Sequence, residues 1–171
     1  MPRNLLTVEE IRTLIKLQRR VFAFIKEVMD EDAVGRKMKY PQIPSILTES
    51  LAIHLLRSRR ILTRELDGRI FEFGGRVADV VAAHESRVSK IEIKATGPKA
   101  FQYFSDKDVN ADYIIWIHFG EFFHIKENAP IQIYIARSPN RFFTERQKII
   151  LSKFRSVVTD LQEITLDLET I

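Results

Sequence analysis

Glu92 and Lys94 stand two residues apart within residues 88–96, where apolar and polar side chains alternate. Alternate residues of a β-strand share a face. Ile91, Ile93 and Ala95 therefore take one side and Lys90, Glu92 and Lys94 the other, with the last two roughly 6–7 Å apart. Upstream, Asp79 interrupts the apolar run Val77-Ala78-Asp79-Val80-Val81, where a carboxylate has no packing role. If the two segments are antiparallel neighbours, Asp79 can lie near Glu92, the two acids repel, and one tends to take up a proton. A divalent cation removes that conflict. Mg²⁺ accepts a few carboxylates and keeps its waters and substrate phosphate oxygens. A lysine beside it can act on a water or stabilise charge on a phosphate. Paired acids, a lysine and a hard cation together describe phosphodiester hydrolysis.

The elements that must position these residues are partly legible. Residues 8–29 carry Ile11, Leu14, Ile15, Val21, Phe22 and Ile25 at helical spacing, after a capping box formed by Thr7 and Glu10. A second helix is expected from 44 or 45 to 59. Glu49 lies on its apolar stripe, where an unpaired charge is costly to bury. The stretch 35–44, rich in Lys, Arg and Pro, reads as a linker between the two. Strands are expected at 61–66 and 69–73, as a hairpin around Asp67-Gly68, and again at 76–83 and 88–96. A short helix is expected over 99–106. Residues 112–119 and 131–136 are near-continuous apolar runs that suit strands buried on both faces. The pattern Ile149, Ile150, Phe154, Val157 and Val158 predicts a closing helix over 144–161. The fold class expected from this order is α/β, a central mixed β-sheet flanked by helices. A single domain over 1–171 is expected, with a helical arm (1–43), a core (44–136) and a C-terminal helix and tail (137–171).

Asp79 followed by Glu92-Ile93-Lys94 resembles the Asp…Glu-x-Lys signature of the PD-(D/E)xK nuclease superfamily, in particular the small type II restriction endonucleases. The resemblance spans residues 44–136 and departs from the pattern before Asp79, where Ala78 replaces the usual Pro. It implies a restriction endonuclease-like core in which Asp79, Glu92 and the Ile93 carbonyl hold Mg²⁺ and Lys94 acts on the attacking water. Glu49 would lie near a second metal or steer a metal-bound water. The implied activity is hydrolysis of double-stranded DNA, with a sequence-specific restriction enzyme as first expectation. A structure-selective repair or junction-resolving nuclease is the alternative, and a non-catalytic DNA-binding module a further one. Lys99, beside Gly97-Pro98, could contact phosphate, and Gln102 a phosphate or a metal-bound water. Arg137, Asn140 and Arg141 could read base edges in a major groove. Cutting both strands of a symmetric site calls for a two-fold homodimer, with helix 8–29 as its candidate surface.

Composition limits the other possibilities. The chain has 171 residues, 45% hydrophobic and 29% charged, an ordinary balance for a globular protein. Its net charge of +4 is concentrated in residues 1–66, which fits a polyanionic partner. The absence of cysteine removes disulfides, thiol catalysis and cysteine-based zinc sites, and accords with a reducing, cytoplasmic compartment. Residues 1–10 lack the apolar core of a signal peptide, and no stretch approaches the ~20 apolar residues of a membrane span. The four histidines form no zinc-enzyme motif, and no nucleotide-binding loop or serine-hydrolase elbow occurs, so no nucleotide cofactor is expected. His118 reads as a core histidine, and Trp116 and the 12 Phe read as core.

Overall fold

The computed structural model describes residues 4–31, 38–124 and 129–171; residues 35–37 of the expected linker lie outside them. Two helices come first. α1 spans Val8–Glu31, and its N-terminus is closed by the reciprocal bonds expected. The Thr7 N–H donates to Glu10 Oε2 (2.8 Å) and the Glu10 N–H to Thr7 Oγ1 (3.2 Å). α2 spans Ser45–Arg57. Both lie on one face of a six-stranded mixed sheet of order β1-β2-β3-β5-β6-β8. Its strands are β1 (Ile70–Phe73), β2 (Val80–His84), β3 (Arg87–Thr96), β5 (Tyr113–His118), β6 (Ile131–Arg137) and β8 (Gln162–Leu166). Only β3 and β5 run parallel; every other neighbouring pair is antiparallel. The α/β class with a mixed sheet flanked by helices is therefore observed. Among the described residues no helix is long and apolar enough to cross a membrane.

The central strands bury both faces, as their apolar runs require. Ile115, Ile117, Ile133 and Ile135 meet α1 and α2. Ile114, Trp116, Tyr134 and Ala136 meet a second core built with Phe104, Phe143, Ile149 and Phe154. That second layer differs from the sequence expectation. In place of a helix over 99–106 the chain forms β4 (Phe101–Phe104), then the short α3 (Asp106–Val109). In place of one helix over 144–161 it forms β7 (Gln147–Ile150), α4 (Leu151–Val157) and then β8. β4 and β7 pair as an antiparallel ribbon, Phe101 opposite Ile150. The ribbon uses partners about 45 residues apart, a pairing that local periodicity cannot reveal.

Two further expectations are corrected. Residues 61–66 form turns although Ile61, Leu62 and Leu66 are buried. Arg59 and Leu62 have φ of 57° and 50°, in the left-handed region, which an extended strand excludes. β1 consequently pairs with β2 and not with 61–66. The strand expected over 76–83 begins only at Val80, because 75–77 turn.

Trp116 anchors the second core directly beneath the candidate site. It pairs in register with Lys94 of β3, is fully buried, and packs edge-on against Phe154 with ring centroids 5.1 Å apart. Its Nε1 donates to Thr96 Oγ1 (2.9 Å), and that hydroxyl shares a 2.9 Å hydrogen bond with His118 Nδ1. Burial lowers the His118 pKa, and this half-buried histidine is held through its Nδ1 at the end of β5. Trp116→Ala is expected to cost about 3–5 kcal/mol of stability, seen as a lowered urea midpoint. A loss below about 1 kcal/mol would contradict this packing.

Candidate active site

Asp79 stands one residue before β2, immediately beyond the pair Val80–Ile91. The same antiparallel register sets it opposite Glu92. The turn that delivers it is tight. The Gly74 N–H donates to the Asp79 carbonyl (3.1 Å), and a β-carbon on Gly74 would lie 2.6 Å from the Ala78 carbonyl oxygen. Only glycine fits there without shifting the backbone. Asp79 Oδ2 accepts the Ile93 N–H at 2.8 Å, which ties the end of β2 to β3.

Glu92 is 2% exposed. Lys107, from α3, places its Nζ 2.9 Å from Asp79 Oδ1 and 3.2 Å from Glu92 Oε1. An ammonium thus sits between the two carboxylates. Glu92 Oε1 still accepts no well-aligned hydrogen bond. Burial, and next the charge of Asp79, push the Glu92 carboxyl up to about 7, while Lys107 pulls the other way. Burial works against the Lys107 ammonium, but Asp79 and Glu92 outweigh it and raise its pKa.

Glu92 and Lys94 do not pair with each other. The Lys94 ammonium lies 2.5 Å from Asp108 Oδ1, a carboxylate that is 1% exposed. The other Asp108 oxygen accepts the Ser105 N–H (2.6 Å) and hydroxyl (2.9 Å), the capping box of α3. Three acids and two lysines therefore share one pocket of the sheet face. Acid is in excess, which adds to burial in raising the proton affinity of Glu92.

Ile93 contributes its backbone. The N–H and C=O of one strand residue point to the same side, and its N–H meets Asp79 beyond the end of β2. Its carbonyl thus faces the same gap. Glu49, on α2, is 5% exposed and lines a cavity of about 890 Å³ together with Ser45, Arg57, Glu72 and Asp79. A neighbouring cleft of about 480 Å³ is lined by Lys94, Lys99, Lys39 and again Ser45.

The remaining candidates are placed otherwise. Gln102 is in β4, not in the helix expected over 99–106, and its amide donates to the Ala95 carbonyl (2.6 Å), which serves the fold. Arg137 pairs in register with Tyr113 and so with Ile91, on the sheet face opposite Glu92. Its guanidinium donates to Glu65 Oε1 and to the Asp160 carbonyl. Asn140 and Arg141 lie in a 3-10 turn after β6. Arg141 is 3.6 Å from Asp160 and stacks on Phe142. The structure thus gathers Asp79, Glu92, Ile93 and Lys94, sets Glu49 and Lys99 on the adjoining cavities, and turns Arg137 away. The residues missed by sequence reasoning are Lys107 and Asp108. Ser105 and Asp108, at capping-box spacing, were the available signal.

Among the described residues no three His, Cys, Asp or Glu side chains form a metal-holding group. The site offers a pair of carboxylates with a carbonyl beside it. That donor set suits Mg²⁺, which binds through one or two carboxylates and retains water, and not a full protein cage. The seat of Lys107 marks where a cation is stabilised. Compared with family models, curated proteins and solved structures, the chain matches none.

Proposed function

We propose that this chain is a Mg²⁺-dependent endonuclease that hydrolyses phosphodiester bonds of double-stranded DNA, with sequence-specific cleavage of the restriction type. The observation that carries the reading is the opposed pair Asp79 and Glu92, with the Lys107 ammonium between them and Lys94 on the same face as Glu92. Mg²⁺ bound there would polarise a phosphate oxygen and a water. Asp79 and Glu92 would hold it, and the Ile93 carbonyl would complete their side of the coordination. Lys94, fixed by Asp108, would orient the attacking water or meet charge on the phosphate. Glu49, from α2, lines a cavity that Asp79 also borders, where it would steer water. The basic cleft with Lys39 and Lys99 would receive the nucleic-acid backbone.

The test is incubation of the full chain with supercoiled plasmid, with and without Mg²⁺, followed by sequencing of the ends. Discrete fragments that depend on Mg²⁺ are expected. Cutting confined to branched or damaged DNA would replace the restriction reading with the repair one. No cutting of any DNA with Mg²⁺ would overturn the nuclease.

A further inference from the structure

The β4–β7 ribbon has an inner and an outer side. Phe104 and Ile149 are buried in the second core, and Gln102 is tied to Ala95 of β3. Alternation along the two strands sets Phe101, Tyr103, Lys148 and Ile150 on the outer side. There Phe101 stands opposite Ile150, and Tyr103 opposite Lys148. Tyr103 is 65% exposed and Ile150 48%. The Phe101 and Tyr103 rings meet edge to face with centroids 6.0 Å apart, and the Lys148 ammonium lies over the Phe101 ring at 4.1 Å. Lys148 thus covers the half-buried Phe101 and leaves Tyr103 as the open ring.

This outer side continues from the candidate site. Phe101 lines the cleft that Lys94 and Lys99 share. Tyr103 follows roughly 6–7 Å along the strand. The chain then runs through Ser105 to Asp108, which holds Lys94. The charge along the ribbon is of one sign. Residues 99–105 and 146–155 contain Lys99, Arg146, Lys148, Lys153 and Arg155, all exposed, and no Asp or Glu. Among the described residues only Arg155 of these is ion-paired, to Glu163. The next acids in sequence, Asp106 and Glu145, come beyond the last pair of the ribbon, Phe104–Gln147.

An open aromatic ring among unpaired cations fits one feature of DNA. In a paired duplex the faces of the bases are covered by one another, and only edges and phosphates are open. An unpaired base offers a face to the ring while its phosphates meet the cations. We propose that the ribbon receives an unpaired base of the DNA bound at the candidate site, stacked on Tyr103 with its phosphate at Lys148. The proposal rests on the DNA reading above and adds the form of the substrate: duplex with one nucleotide out of the helix. A base that is already unpaired spares the cost of unstacking one, so such DNA binds more tightly than its fully paired counterpart.

Fluorescence anisotropy of the full chain with three short labelled duplexes, without Mg²⁺, tests this. One duplex is fully paired, one carries a single unpaired adenine, and one carries an abasic nucleotide at the same point. The duplex with the unpaired adenine is expected to bind roughly tenfold more tightly than the other two. Tyr103→Ala removes that preference and leaves the paired duplex within about twofold of wild type, whereas Tyr103→Phe keeps it. Lys148→Ala weakens all three duplexes by a similar factor. Equal affinity of the wild-type chain for the paired and the unpaired duplex overturns the proposal, as does a failure to bind any of the three. So does an abasic duplex that binds as tightly as the one with adenine, or a preference that survives in Tyr103→Ala. The nuclease reading fails separately: a preference that depends on Tyr103, in a chain that cuts no DNA when Mg²⁺ is added, upholds the stacking surface and removes the nuclease.

Discussion

Asp79→Asn is expected to lower Mg²⁺-dependent plasmid cleavage about a thousandfold while DNA binding stays within a few-fold of wild type. The asparagine oxygen can still accept the Ile93 N–H that Asp79 Oδ2 accepts at 2.8 Å, so the link between β2 and β3 survives. What is lost is the negative charge opposite Glu92. Lys107 provides the contrast. Its ammonium occupies the space between the two acids and competes with any metal ion there. Lys107→Ala should therefore keep cleavage within about tenfold and shift the Mg²⁺ titration to lower concentration. Single-turnover cleavage against Mg²⁺ concentration, beside a filter-binding isotherm, reads both. Undiminished cleavage by Asp79→Asn would remove Asp79 from the machinery.

The site was legible where its geometry is local. The two-residue pleat alone sets Glu92 and Lys94 side by side, and an acid inside an apolar run singles out Asp79. The antiparallel register of β2 and β3 then brings Asp79 opposite Glu92. The capping of α1 by Thr7 and Glu10 is equally local. The layer that closes over the site was not legible. Phe101 and Phe104 belong to β4 because Gln147–Ile150 lies beside them, and that pairing has no signature within either segment. Ile149, Ile150, Phe154, Val157 and Val158 fit a helix by spacing, but the chain spends the first two in β7 and starts α4 only at Leu151. Lys107 and Asp108 were hidden by the same error: a helix placed over 99–106 ends where α3 begins. The consequence is chemical. With α3 misplaced, Lys94 looks available to Glu92, whereas Asp108 holds it and Lys107 takes its place between the acids.

Glu92→Gln should turn that arrangement into a measurable pH dependence of stability. The Glu92 carboxyl titrates near 7 in the folded chain, against an ordinary 4.5, mainly because it is buried and next because Asp79 faces it. Between these two values the folded chain holds a proton that the unfolded chain has released. Stability contributed by Glu92 therefore falls as pH rises from 4.5 to 7 and stays low above it. The difference corresponds to about 3 kcal/mol at the upper end. Glutamine is neutral throughout and lacks this slope. The variant is expected to be more stable than wild type at pH 8 by up to ~3 kcal/mol and little changed near pH 5, as read from urea unfolding at the two values. Lys107 retains its contact with Asp79 in the variant, so the ammonium is not stranded. A variant equally displaced at both pH values would mean that Glu92 is charged in the fold at all of them. Mg²⁺ acts in the opposite sense: by binding the ionised pair it should raise the stability of wild type at pH 8 and leave Glu92→Gln nearly unmoved. Coupling of the proton and the metal at one carboxylate is what distinguishes a cation site from a buried acid that merely tolerates its surroundings.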